Sequence, residues 1–87
     1  MNTWIKCSAE PGMLPGELAV VVDTLTGPVS LFTQSDKVNV ELGLLNVERF
    51  GEYGGGLLVR LPSYPFEVPN RNVCVPVEAQ HKIGESK

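Results

Sequence analysis

The chain has 87 residues, of which 43% are hydrophobic and 20% are charged, and its formal net charge is −3. A chain of this length has enough surface to bury for one small core, so we expect a single domain over residues 1–87. The balance of apolar and charged residues excludes an intrinsically disordered chain. A domain this small retains little net stability after the entropy cost of folding, and self-association is a common supplement.

The basic residues are scattered along the sequence and are never adjacent. Nucleic-acid binding draws most of its affinity from clustered Lys and Arg, and a membrane surface also attracts such clusters, so the composition argues against both partners. Folding could still bring some of the basic positions onto one face. The seven basic residues are Lys6, Lys37, Arg49, Arg60, Arg71, Lys82 and Lys87.

No segment reaches the 18 or so apolar residues of a membrane span, and the N-terminal segment lacks the pattern of a signal peptide, so we expect a cytoplasmic protein. The two cysteines, Cys7 and Cys74, are too few for a disulfide framework and lack the spacing of a zinc or redox motif. Each lies in an apolar run, where a free cysteine acts as a small hydrophobe. If the terminal strands paired, their sulfurs could approach closely enough to bridge.

The first part of the chain predicts a short strand and then a loop. Residues 4–8 alternate, with Ile5 and Cys7 on one face. Residues 9–16 contain two prolines and two glycines, which interrupt both helices and strand ladders, so we expect a loop there. Met13 and Leu14 in that loop are apolar, which indicates that it packs on the core or on a partner subunit.

Residues 17–33 predict the central β-hairpin. Val20 and Val22 share a face before the turn, Val29 and Leu31 share one after it, and Thr26, Gly27 and Pro28 mark the turn itself. Both faces of the hairpin are largely apolar, which predicts that both are covered.

Residues 38–50 allow two interpretations. As a strand, the apolar residues change parity near Gly43, which indicates a bulge, a bend or a short loop. As a helix, Val38, Leu42 and Leu45 form a stripe at helical spacing. We favour a strand because β-branched residues and a glycine in mid-run disfavour a helix.

The C-terminal half predicts a second hairpin, with its turn at residues 51–56 and its return strand at residues 57–61. Residues 62–69 contain three prolines and should form an extended crossover. Residues 71–77 alternate as a strand that Pro76 confines to an edge or an end. Residues 79–87 should form a frayed tail with at most one helical turn before it.

These elements predict an all-β fold with a small, strongly bent antiparallel sheet. The strand number and length fit a partly open barrel of five or six strands, SH3-like or OB-like, or a small sandwich. Many unrelated functions share these architectures, so the fold itself indicates no activity.

The sequence offers little catalytic chemistry. His81 is the single histidine, and a site that combines it with a cysteine or a carboxylate is the least favoured hypothesis, so we expect no enzyme. The ligand count also argues against a metal site, and the glycines of residues 51–56 do not match a phosphate-binding loop. We therefore predict no catalytic residue, metal or cofactor.

Exposed aromatic and apolar side chains point instead to recognition by surface contact. Tyrosine and tryptophan are enriched at interfaces because they combine apolar area with a hydrogen-bonding group. We predict a non-enzymatic interaction domain that forms a homo-oligomer or binds another protein. The predicted interface residues are Trp4, Met13, Leu14, Tyr64 and Phe66. The alternative is a small ligand or a peptide in a groove near Tyr53 and Tyr64.

Overall fold

The computed structural model describes residues 2–81, and over these residues the chain forms nine β-strands and two 3-10 turns. The all-β prediction is confirmed. No helix within this part of the chain is long and apolar enough to cross a membrane. The strands are β1 Asn2–Lys6, β2 Ser8–Pro11, β3 Glu17–Thr24, β4 Gly27–Gln34, β5 Val38–Asn39, β6 Leu44–Tyr53, β7 Gly56–Arg60, β8 Asn72–Pro76 and β9 Gln80–His81; the 3-10 turns are Ser35–Lys37 and Val77–Ala79.

The strands form two antiparallel sheets. The first sheet has the order β8-β7-β6-β1-β9, and the short strand β5 also pairs with β6. The second sheet has the order β2-β3-β4. The chain passes from β1 to β2, and so from one sheet to the other, through Cys7 alone. The amide of Cys7 donates to the carbonyl of Gly43 at 2.9 Å, which fixes the crossing point against the end of a turn.

One hydrophobic core lies between the two sheets. It takes alternate residues from the facing strands, as the period of two in a strand requires. Burying each of these side chains stabilises the fold by about 1.5–3 kcal/mol before the entropy cost. The fully buried side chains are Ile5, Val20, Val22, Leu31, Leu45, Leu57, Val59, Leu61 and Val75.

The central hairpin is formed by β3 and β4, which pair over their whole length from Glu17 and Gln34 to Thr24 and Gly27. Its inner face is buried as predicted. The expected cover on the outer face is only partial, because Val21 is 39% exposed and Phe32 is half-buried. The second sheet therefore presents an outer face with apolar side chains to solvent.

The predicted loop over residues 9–16 is wrong at its start, since β2 continues to Pro11 and pairs with β3. A proline is tolerated there because it lies at the end of a strand that pairs with β3 alone in its sheet. The loop proper is residues 12–16. A hydrogen bond of 2.8 Å from the amide of Gly12 to the carbonyl of Glu17 joins the two ends of this loop.

Residues 38–50 form strands, so the helical interpretation is wrong. The short strand β5 pairs with the beginning of β6 across a turn at residues 40–43. Gly43 ends that turn with a φ of +67°, a conformation that favours glycine, which explains the change of parity in the sequence.

The second hairpin is tighter than predicted. Strand β6 extends to Tyr53, with a bulge between Arg49 and Gly51, and only Gly54 and Gly55 form the turn. Their φ angles of +60° and +83° are the left-handed conformation that a type I′ hairpin turn needs at both central positions.

The crossover and the C-terminal strand follow the prediction. Residues 61–71 contain no strand, and β8 then ends at Pro76. The first three residues of the predicted frayed tail, residues 79–81, instead complete a 3-10 turn and form β9 on β1. The rest of the predicted tail, with Lys82 and Lys87, lies outside the described residues.

Candidate functional site

An exposed apolar surface is centred on Phe32, on the outer face of β4. The ring of Phe66 meets the ring of Phe32 edge to face, with centroids 5.3 Å apart and an interplanar angle of 84°. An open cavity of about 680 Å³ beside Phe32 has Leu14 and Pro62 among its lining residues. We call Leu14, Phe32, Pro62 and Phe66 the Phe32 surface.

Hydrogen bonds to the free edge of β4 hold the crossover in place. The amide of Phe66 donates to the carbonyl of Ser30 at 2.9 Å, and the hydroxyl of Ser63 donates to the carbonyl of Phe32. The Glu67 carboxylate accepts from the amide of Ser30 at 2.7 Å and from its hydroxyl. Phe66 is therefore ordered although its side chain is 66% exposed.

The loop that carries Leu14 is also anchored. The carboxylate of Glu17 accepts the amides of Met13 and Leu14 at 3.1 and 3.2 Å, so one side chain satisfies two backbone donors at the loop tip. Met13 is 81% exposed and Leu14 is 65% exposed. The loop thus displays two apolar side chains from a backbone that hydrogen bonds restrain.

Sequence reasoning named Leu14 and Phe66 but missed Phe32, which joins them. The signal was present in the alternation of β4, where Phe32 shares a face with Ser30 and Gln34 and not with the buried Val29 and Leu31. A large aromatic residue on the polar face of a strand indicates either cover by another segment or a contact surface.

Trp4 does not belong to the Phe32 surface. It lies on β1 in the other sheet, opposite Asn46 of β6 and His81 of β9, and is half-buried. The five predicted interface residues therefore do not form one patch. Leu14 and Phe66 contribute to the Phe32 surface, Met13 lies beside Leu14, and Tyr64 follows Ser63 in the crossover.

The two tyrosines of the alternative ligand groove lie at opposite ends of β7. Tyr53 precedes the turn before Gly56, and Tyr64 follows Arg60 by four residues. The guanidinium of Arg71 lies 5.9 Å from the centre of the Tyr64 ring, whereas Tyr53 is 76% exposed beside Cys74. The structure does not bring the two tyrosines together into one groove.

The residues considered for catalysis are also dispersed. His81 is exposed in β9, and no hydrogen bond within residues 2–81 joins its side chain to a cysteine or a carboxylate. In the same residues, no three His, Cys, Asp or Glu side chains form a group that could hold a metal ion. Cys7 and Cys74 are both free; Cys7 follows β1 and Cys74 lies in β8, and β7 and β6 lie between those two strands. Burial raises the pKa of the Cys7 thiol to about 11, which disfavours the reactive thiolate.

The contact between Glu67 and Ser30 should make stability depend on pH. The hydrogen bond from the Ser30 hydroxyl, and then that from its amide, lower the pKa of Glu67 below the ordinary value of 4.5. A lowered folded pKa stabilises the fold above the unfolded pKa, and this contribution is lost as the pH falls through the folded value. Urea unfolding between pH 6 and about pH 3 should therefore show a smaller loss of stability on acidification in Glu67→Gln than in the wild type.

The matched control for this measurement is Glu10→Gln, which removes an exposed carboxylate from β2. Its unfolding free energy should fall with pH as steeply as that of the wild type. If the unfolding free energies of the wild type and Glu67→Gln fell equally with pH, the contact between Glu67 and Ser30 would not contribute to the pH dependence of stability.

Comparison of the chain with protein-family models, with curated proteins and with solved structures gave no match.

Proposed function

We propose that this chain is a small, non-enzymatic interaction domain that self-associates through the Phe32 surface. The observation that carries the proposal is Phe66, which hydrogen bonds of the crossover hold on Phe32 with two thirds of its side chain exposed. An ordered and exposed aromatic residue provides contact area at little entropy cost on binding, as the anchor residues of protein interfaces do.

A second copy of the chain suits this surface in charge. The cavity beside Phe32 is lined by two acidic side chains, Glu17 and Asp36, and by one basic side chain, Lys37. In a twofold dimer the same patch faces itself, so Lys37 of each copy can meet Asp36 of the other copy. The contact would also supply apolar burial that an 87-residue domain lacks by itself.

The test is the mass in solution by sedimentation velocity over a concentration series. The wild type should show a reversible rise from monomer to dimer. Phe66→Ser should weaken the dimer by about 30-fold, which corresponds to the roughly 2 kcal/mol that separates interface anchors from other contacts. Leu14→Ser should also weaken it, because Leu14 lines the same cavity as Phe32.

The control is Tyr53→Ser, which removes an aromatic side chain of similar exposure from the far end of β7. It should leave the dissociation constant unchanged. A wild type that stays monomeric at all concentrations would overturn the proposal, and so would a dimer that tolerates both Phe66→Ser and Leu14→Ser.

We also propose a cytoplasmic location. Two free cysteines support it, because thiols persist in reducing compartments.

A further inference from the structure

A second cavity, of about 200 Å³, collects basic side chains that are far apart in the sequence. Lys37, Arg60 and Arg71 line it, which is three of the five basic residues between positions 2 and 81. It lies between β6, the end of β7 and the crossover, and Asn2 and Asn46 add two amide side chains to its wall. A chain of net charge −3 thus concentrates positive charge at one point.

Arg71 is held by contacts of both its side chain and its backbone. Its Nε donates to the carbonyl of Leu61 at 2.9 Å, and the carbonyl of Arg71 accepts the amide of Leu61 at 2.8 Å. Its guanidinium lies over the ring of Tyr64 at 5.9 Å. These contacts fix the direction of the side chain and use only Nε among its nitrogen donors, so the two terminal amino groups remain available to a ligand.

The only acidic side chain in the lining is Glu48, and it offsets one of the three positive charges. Its carboxylate lies 3.7 Å from Nη1 of Arg60, and the two side chains are 52% and 49% exposed. A pair this exposed is weak because water screens it. Neither Lys37 nor Arg71 forms an ion pair with an acidic side chain of residues 2–81. Two positive charges at the cavity are therefore without a counter-charge from the described chain.

We propose that this cavity binds a phosphate-type oxyanion. The planar guanidinium of Arg71 matches two oxygens of such a group with two parallel hydrogen bonds, and Lys37 and Arg60 supply point charges around it. The net charge of the lining fits a dianion better than a single carboxylate. Three cations are too few to follow a nucleic-acid backbone, so the site takes one anionic group and not a polyanion.

The proposal is independent of self-association, although the two sites adjoin. Lys37 and Pro62 line both this cavity and the one beside Phe32. Experiments at protein concentrations that keep the chain monomeric, or in the Phe66→Ser variant, separate the two. Phe66→Ser should keep wild-type anion binding, because Phe66 does not line the basic cavity.

The test is a titration of the ¹⁵N-labelled protein with inorganic phosphate at constant ionic strength, followed through the Nε–H signals of the arginines. The signals of Arg71 and Arg60 should shift and saturate. Arg71→Gln should weaken binding at least tenfold, and Lys37→Gln, which changes an exposed side chain, should weaken it without disturbing the fold. Sodium acetate in place of phosphate should give a weaker response.

The charge-matched control is Lys6→Gln, because Lys6 lies at the opposite end of β1 from Asn2 and lines another cavity. It should leave the phosphate affinity unchanged. Phosphoserine in a parallel titration distinguishes the two sources of the phosphate group. Tighter binding of phosphoserine than of inorganic phosphate would indicate a phosphorylated side chain as the ligand. Equal or weaker binding would indicate free phosphate. Shifts that grow linearly without saturation, or equal weakening by Lys6→Gln and Lys37→Gln, would overturn the proposal.

Discussion

Replacing Leu31 by alanine should lower the free energy of unfolding by about 2–5 kcal/mol, as the removal of a large buried aliphatic side chain does. Leu31 is fully buried at the middle of β4, in the cluster where residues of both sheets meet. The cost combines lost transfer free energy with the cavity that remains. Small domains have a total stability of about 5–15 kcal/mol, so the variant should lose a large share of it. Guanidinium unfolding followed by circular dichroism measures the change.

Leu42→Ala is the matched control, since it deletes the same atoms from a side chain that is 61% exposed in the turn before β6. Its free energy of unfolding should stay within about 0.5 kcal/mol of the wild type. A loss below about 1 kcal/mol for Leu31→Ala would contradict the burial of the Leu31 side chain between the two sheets. An equal loss of unfolding free energy in Leu31→Ala and Leu42→Ala would also contradict it.

Adding a single methyl group at Gly56 should destabilise the protein by about 1–3 kcal/mol through overpacking. A Cβ at this position would lie 2.5 Å from Sγ of Cys74, 2.8 Å from Cδ1 of Leu25 and 3.0 Å from the carbonyl oxygen of Val75. Gly56 begins β7 directly after the turn, where β8 and the β3–β4 turn both approach it. The backbone oxygen cannot move without disturbing the ladder between β7 and β8, so Gly56→Ala should unfold at lower denaturant.

Gly51→Ala provides the control, because the added Cβ would lie 3.5 Å from Cδ1 of Leu58, an ordinary contact distance. It should be neutral or slightly stabilising, since alanine reduces the entropy of the unfolded chain. Combining Gly56→Ala with Cys74→Ala should recover part of the loss by removing the nearest atom. The steric explanation fails if Gly56→Ala is as stable as Gly51→Ala.

The sequence by itself determined the class of the fold and the position of its hairpins. Strand faces follow from alternation along a few residues, and turns are marked by glycine and proline in or beside them, so both signals are local. For this reason β3, β4 and the second hairpin were predicted, although its turn was placed at residues 51–56 and consists of Gly54 and Gly55 alone. Predictions failed by a few residues at strand ends, as at Pro11 and in β9, because pairing with a neighbouring strand decides where a strand ends.

Only the tertiary structure decided which side chains share a site. The Phe32 surface joins the loop before β3, the outer face of β4 and the crossover, and the basic cavity joins Lys37, Arg60 and Arg71. Their parts lie many residues apart and meet because the crossover binds the free edge of β4 through Ser30 and returns to pair Leu61 with Arg71. Contacts of that kind depend on the packing of the whole chain, and they cannot be predicted from the local spacing of apolar residues in the sequence.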